Sequence, residues 1–369
     1  MLVNGKHFRT IWVDDKNPPG INVIDQRLLP HKFEIAELLH FDDFVKAIKE
    51  MYVRGAPLIG VTSAYAMYVA AKDAKGKHDF INNLFASAEK LIAARPTAVN
   101  LEWAVNMQLE IARKCTVQED CINLLLQNAR KMAEEDVCNC KKIGENGLDL
   151  IRQISGKKDD NTINILTHCN AGWLATVDYG TVTAPIYLAF EQGIKLHVWV
   201  DETRPRNQGS KLTSWELSQH GIPNTIIADN TGGHLMQHGL VDLVIVGSDR
   251  TTFTGDVANK TGTYLKALAA KDNDIPFYVA LPSSSIDWEN ENGLEQIIIE
   301  ERNPDEILFV EGLCDGEIKR VSIAPVNSKA VNYAFDVTPS RLVTGLITER
   351  GICRANKKDI FNLFPEKRK

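Results

Sequence analysis

The stretch Leu166-Thr167-His168-Cys169-Asn170-Ala171-Gly172-Trp173 joins an apolar run, Ile163 to Leu166, to a cysteine, a glycine and then a helical pattern. In an open α/β sheet such a junction lies at the carboxyl end of a strand, where ligands bind. A thiol there faces the cavity and the amino end of the next helix, which favours the thiolate. Two further apolar runs end in polar clusters: Asp201-Glu202-Thr203-Arg204-Pro205-Arg206 and Gly247-Ser248-Asp249-Arg250. Carboxyl ends of parallel strands share one sheet edge, so Cys169, Asp201 and Asp249 are expected to converge on one cleft. A thiol and a carboxylate there suit proton transfer to a small substrate. The alternatives are a carboxylate clamped by Arg204 or Arg206 for Asp201, a helix cap for Asp249, and an inert core thiol for Cys169.

Three segments could hold phosphate. Val53-Arg54-Gly55-Ala56-Pro57 puts an arginine and a glycine at the mouth of a helix, where free amides favour an anion. Gly255 to Lys260 places a lysine near the start of another predicted helix, and Arg95 precedes Pro96 at a third. None matches a nucleotide P-loop or a GxGxxG fingerprint, which argues against ATP or NAD. His168 and Cys169 are adjacent, so in a strand their side chains point to opposite faces and do not form a nucleophile pair. His234 and His238 lack an acidic partner at metal-site spacing and read as surface or loop residues.

The elements that must position these groups follow from periodicity. Phe8 to Val13 and Gly20 to Ile24 read as a short strand pair around Asn17-Pro18-Pro19-Gly20. From Asp42 to about Ile154 the pattern is helical: Phe44, Ala47, Ile48 and Met51 recur at helical spacing, as do Ile122, Leu125, Ala129 and Met132. Pro57 and Pro96 stand just inside predicted helix starts. The weakly polar run from Gly55 to Ala71 falls short of the ~20 residues of a membrane span and reads as a buried helix. A polar stretch, Ser155 to Asn161, marks the boundary between a mainly helical domain over 1–156 and a second over 157–369. There, predicted strands Ile163–Leu166, Leu196–Val200, Thr225–Ile227, Leu243–Val246 and Phe277–Leu281 alternate with helix-length segments Ala184–Gln192, Leu212–His220, Leu235–His238 and Val257–Ala270. That order implies an α/β class with a Rossmann-like parallel sheet flanked by helices.

Composition sets limits. The 369 residues are 44% hydrophobic and 24% charged, ordinary for a globular protein of two domains. A formal net charge of −6 argues against nucleic-acid binding. The seven cysteines are odd in number, and residues 1–15 carry charges that no signal peptide would, which implies free thiols in a reducing compartment. Cys138-Asn139-Cys140 has no second pair and reads as helix-borne thiols rather than a metal site. The basic end Lys367-Arg368-Lys369 reads as a solvated tail, with a nuclear-localisation signal as the alternative.

The set Arg54-Gly55-Ala56-Pro57, Arg95 to Leu101, Thr167 to Gly172, Asp201 to Pro205, Gly247 to Arg250 and Gly255 to Tyr264 resembles the methylthioribose-1-phosphate isomerases of methionine salvage. It runs in the same order from about residue 50 to 351, with Ala334 to Pro339 and Thr348 to Gly351 late in the chain. Tyr333 departs from the proline usual there, and the first forty residues match only loosely. The wider superfamily includes ribose-1,5-bisphosphate isomerases and the regulatory subunits of the translation-initiation guanine-nucleotide exchange factor; these supply the alternatives of a bisphosphate isomerase and a non-catalytic sugar-phosphate or nucleotide sensor. The resemblance implies an aldose-to-ketose isomerisation with Asp249 as proton donor and Cys169 acting at C1/C2. It assigns Arg54, Gly55, Ala56, Arg95, Gln208, Asn259 and Lys260 to substrate. It further implies no metal or organic cofactor, a cytoplasmic enzyme, no membrane or nucleic-acid partner, and a homodimer.

Overall fold

A computed structural model describes residues 1–14, 20–95, 99–157 and 162–368. By contacts the chain forms two units. The first takes residues 1–28, 33–141 and 173–180, and the second takes 29–32, 142–172 and 181–369. Residues 142–156, read from the sequence with the first domain, thus group by contact with the second.

The first unit is helical: Phe41–Lys49, Ala56–Ala74, Phe80–Ala94, Val99–Ala112 and the first part of Gln118–Ser155. Helix Ala56–Ala74 is apolar on every side and almost wholly buried, as expected of a core helix. Pro57 stands at its first turn, where a missing N–H costs nothing. The hydroxyls of Thr62 and Ser63 in its interior return their hydrogen bonds to the carbonyls of Leu58 and Ile59 at 2.7 and 2.8 Å, so neither is left open in the core. No helix among the described residues is long and apolar enough to cross a membrane. The predicted strand pair forms, but from Ile11–Asp14 and Gly20–Ile24, with Phe8 left outside; Ile35–Leu38 adds a third strand. Pro96 lies outside the described residues. Cys138 and Cys140 lie in helix Gln118–Ser155.

The second unit is built on a seven-stranded sheet. Its order is Gly351–Cys353, Gly345–Thr348, Phe277–Ala280, Leu243–Val246, Ile163–Thr167, Leu196–Asp201 and Asn224–Ile227. All neighbours are parallel except the first two. Numbered along the chain, the parallel strands read 3-2-1-4-5-6, the order of doubly wound dinucleotide folds. Every residue of Leu243–Val246 is buried, the continuous apolar run of a strand covered on both faces.

Two expectations fail in this unit. The segment Val257–Ala270 is not one helix: Val257–Lys260 is a strand, paired antiparallel with Arg250–Thr252 and Phe335–Thr338, and the helix starts at Thr263. Pairing to a strand over 70 residues away overrides a local apolar spacing that also fits a helix. The segment Leu212–His220 opens as a π-turn, Gly209–Thr213, before the α-helix Ser214–Gln219.

Candidate active site

Strands Ile163–Thr167 and Leu243–Val246 are hydrogen-bonded neighbours, and strand order reverses between them. Such a switch point opens a crevice at the strand carboxyl ends. Cys169 follows the first strand and Asp249 the second. The two loops touch: a Cβ on Gly247 would lie 2.4 Å from the Cβ of Ala171, so only glycine fits.

Cys169 is 8% exposed and held at three points. Its N–H donates to Thr203 Oγ1 at 2.8 Å, its carbonyl accepts from Thr213 Oγ1 at 2.7 Å, and its thiol lies 3.6 Å from Gln208 Oε1. The expected helix does not follow directly. A 3-10 turn, Trp173–Ala175, intervenes, and the α-helix begins only at Thr183. The helix opening beside the thiol is instead the one that Gln208 precedes, starting at Gly209. Next to Cys169, Asn170 Nδ2 donates to Glu216 Oε1 at 2.5 Å and to Thr213 Oγ1 at 3.1 Å.

Three residues here adopt left-handed backbone without being glycine: Cys169 (φ 64°), Thr203 (φ 63°) and Asn207 (φ 55°). At Cys169 and Thr203 this costs on the order of 1–3 kcal/mol and persists only where the surroundings over-determine it, whereas asparagine adopts it readily. For β-branched Thr203 the conformation is a genuine outlier.

Asp201 is fully buried, but neither Arg204 nor Arg206 clamps it. Arg204 donates to the carbonyls of Pro205 and Ile307, and Arg206 pairs with Glu306. The partners of Asp201 are His168 Nδ1 at 2.7 Å and Lys266 Nζ at 3.0 Å. His168 also meets the Thr261 carbonyl through Nε2 at 2.9 Å, so both of its ring nitrogens are engaged, one by Asp201 and one by Thr261. His168, Asp201 and Asp229 have the donor types of a cation site, but Lys266 already supplies a cation within hydrogen-bond reach of Asp201. Burial raises the Glu202 carboxyl, and the Asp229 charge raises it further. Burial also raises Asp336, against hydrogen bonds from the amides of Gly262 and Tyr264 at 2.6 and 3.1 Å.

Asp249 is half-buried and heads strand Arg250–Thr252, so it caps no helix. Its N–H donates to the Ala258 carbonyl at 3.0 Å, which sets it beside strand Val257–Lys260 and thus near Asn259 and Lys260. Lys260 therefore stands at a strand end rather than in the predicted helix start, with Nζ 5.2 Å from the Phe335 ring centroid. Asn259 Nδ2 donates to Thr263 Oγ1 at 3.0 Å. The His168–Thr261 bond ties this strand end to the Cys169 loop, so Cys169, Gln208, Asp249, Asn259 and Lys260 belong to one connected set.

In the first unit, Arg54 is buried and Gly55 precedes helix Ala56–Ala74 at φ 95°. A Cβ on Gly55 would lie 2.6 Å from the Ala175 carbonyl oxygen. Arg95 ends helix Phe80–Ala94 and helix Val99–Ala112 follows; residues 96–98, with Pro96 and Thr97, lie outside the described ones. His234 and His238 are exposed, with rings 4.2 Å apart at the end of helix Thr231–Gln237.

Sequence reasoning missed Asp229, Lys266 and Asp336. Asp229 was within reach of the rule that found Cys169, because it too follows a strand, Asn224–Ile227. Lys266 sits within a helix and Asp336 within a strand, where nothing local marks them.

The model of the initiation factor 2 subunit family matches residues 52–355. The chain belongs to that family. A protein from Desulfatibacillum aliphaticivorans named methylthioribose-1-phosphate isomerase is 59% identical over 100% of both chains. The crystal structure of 5-methylthioribose 1-phosphate isomerase from Pyrococcus horikoshii is 38% identical, with a TM-score of 0.84 over 98% of this chain and 97% of that one. A second crystal structure, of a protein named translation initiation factor eIF-2B, subunit delta, from A. fulgidus, is 40% identical, with a TM-score of 0.79 over 97% and 100%.

Proposed function

We propose that this protein is an aldose–ketose isomerase that converts 5-methylthioribose 1-phosphate to 5-methylthioribulose 1-phosphate in methionine salvage. The observation that carries the reading is the placement of Cys169 and Asp249 on touching loops at the sheet's switch point. Identity of 59% to a protein of that name supports it.

The chemistry follows from the substrate. Phosphate on C1 blocks the free aldehyde, so the ring must be opened by an acid. Asp249 gives a proton to the ring oxygen as the C1–O bond breaks. One hydrogen then moves from C2 to C1, the C2 hydroxyl gives up its proton, and a ketone remains; both a proton route through a phosphoenolate and a hydride route satisfy this balance. Cys169 acts at these two carbons, as base or as stabiliser of the transition state. The conversion is redox-neutral and calls for no redox cofactor. In the second unit, Gln208, Asn259 and Lys260 contact the substrate. The resemblance separately assigns Arg54, Gly55, Ala56 and Arg95 of the first unit to substrate. A homodimer in the cytoplasm completes the proposal.

The likeness to the A. fulgidus protein, named as a subunit of an initiation factor, favours a regulatory subunit as the second reading. Comparing kcat/KM for 5-methylthioribose 1-phosphate and ribose 1,5-bisphosphate separates the possibilities. The proposal expects the first to win by a factor on the order of 10² or more, because a second phosphate would need its own charged pocket. Preference for the bisphosphate overturns the substrate, and turnover of neither supports the regulatory reading.

A further inference from the structure

Cys169 has a left-handed backbone, and so does the residue that holds it, Thr203. Two such residues in contact need a support that does not give way, and the structure contains one. The Thr203 hydroxyl accepts from the Cys169 N–H at 2.8 Å while donating to the Asp201 carbonyl at 3.0 Å. A hydroxyl can do both at once; a methyl group can do neither. Thr203 is held in turn by Asp229, whose two carboxylate oxygens accept the N–H groups of Thr203 and Arg204, each at 2.7 Å. Asp229 is anchored from behind by Lys266, whose ammonium donates to the Asp229 carbonyl and pairs with Asp201 at 3.0 Å. His168 Nδ1 lies 2.7 Å from Asp201 and 3.9 Å from Asp229.

We propose that Thr203 and Asp229 are positioning residues that fix the backbone of Cys169 and aim its thiol at the opening of the helix beyond Gln208. The inference rests on Cys169 being the reacting thiol of the proposed isomerase, and neither residue touches substrate. Lys266 has a part in this: its ammonium pairs with the Asp201 carboxylate and donates to the Asp229 carbonyl, which holds these two residues together.

The test uses the full chain and the hydroxyl itself. Thr203→Val keeps the shape and removes the oxygen that accepts from the Cys169 N–H. Thr203→Ser keeps the hydroxyl and removes only a methyl group. Asp229→Asn replaces one of the two acceptor oxygens with a donor. For each, Cys169 alkylation by iodoacetamide is followed by peptide mass spectrometry across the neutral and alkaline range, alongside kcat, KM and Tm. In Thr203→Val and Asp229→Asn the pH midpoint of alkylation is expected to rise and the rate near neutrality to fall about tenfold. In the same variants kcat falls by at least about tenfold with KM little changed, the split expected when geometry rather than binding is lost. Thr203→Ser should restore the wild-type alkylation profile. The proposal is overturned if the Thr203→Val profile superimposes on wild type, or if Thr203→Ser is displaced as far as Thr203→Val. Should Asp229→Asn not fold, the valine–serine pair still decides. The alkylation readout needs no substrate, so a displaced Thr203→Val profile in a protein that turns over no sugar phosphate would keep this inference and overturn the isomerase.

Discussion

Two buried carboxylates, Asp136 in the first unit and Asp201 in the second, are held by opposite means. In the first, Asp136 of helix Gln118–Ser155 is enclosed with one backbone donor, the Val177 amide at 2.7 Å. Burial pushes its carboxyl up to about 7, the Val177 bond pulls it down, and the charge of Asp178 raises it. In the second, Asp201 is also buried but has His168 at 2.7 Å and Lys266 at 3.0 Å. The first arrangement suits a group that tolerates neutrality and serves to hold a chain segment. The second keeps opposite charges fixed together beside Cys169, the kind of pre-oriented field that polar chemistry uses. The same residue type is therefore structural in one setting and supports a reaction in the other, and its partners decide which.

If the second unit carries the chemistry, the largest effect belongs to its thiol. Cys169→Ala should abolish turnover while Tm and substrate binding stay close to wild type, because the lost group acts on the reacting carbons. Activity within about tenfold of wild type would remove Cys169 from the mechanism.

Asp249→Asn comes next. It keeps the shape and removes the proton, so kcat should fall by a factor on the order of 10² or more with a modest change in KM. A normal kcat with a lowered Tm would instead make Asp249 a structural residue of the loop before Arg250–Thr252.

Lys260→Ala and Arg54→Ala test the phosphate assignments in the two units separately. Charge-assisted bonds to phosphate are worth roughly 1.5–3 kcal/mol, so each variant should weaken binding about ten- to a hundredfold. Methylthioribose without its phosphate is the control: it should bind wild type poorly and lose little more in either variant. Equal losses for both ligands would mean that these side chains support the fold or touch the sugar ring.

The smallest effect sharpens the comparison from the first unit. A folded-state carboxyl raised above its unfolded value gives stability at low pH that is lost as pH rises. For Asp136 the window runs from about pH 4, where the unfolded carboxyl ionises, to about 7. Asp136→Asn should therefore gain on wild type across that window and hold a constant lead above it, a matter of a few degrees in Tm measured at several pH values. A lead independent of pH would show that Asp136 is not the titrating group.

The strands around the site were legible because each is a short apolar run cut off by polar residues. Ile163–Leu166 and Leu243–Val246 fall within one residue of the structure's limits. The rule that strand carboxyl ends share an edge then placed Cys169 and Asp249 without any long-range information. What escaped depended on distant partners. Val257 to Ala270 fits a helical spacing, and only pairing with Phe335–Thr338 makes its first part a strand. For Asp201 the local sequence offers arginines three and five residues on as an alternative clamp, whereas its partners are His168 and Lys266, brought in by neighbouring elements. Left-handed backbone at Cys169 and Thr203 leaves no mark in the sequence, because neither residue type favours it.

Whether Cys169 and Asp249 at the switch point make this chain an isomerase is decided by watching one substrate. Purified protein is incubated with 5-methylthioribose 1-phosphate and followed by carbon NMR, with Cys169→Ala alongside. In wild type the C1 signal of the cyclic sugar should decay while a ketone carbon grows in its place, and the variant should leave the spectrum unchanged. No ketone from the folded wild-type protein, or equal ketone from both, would contradict the assignment.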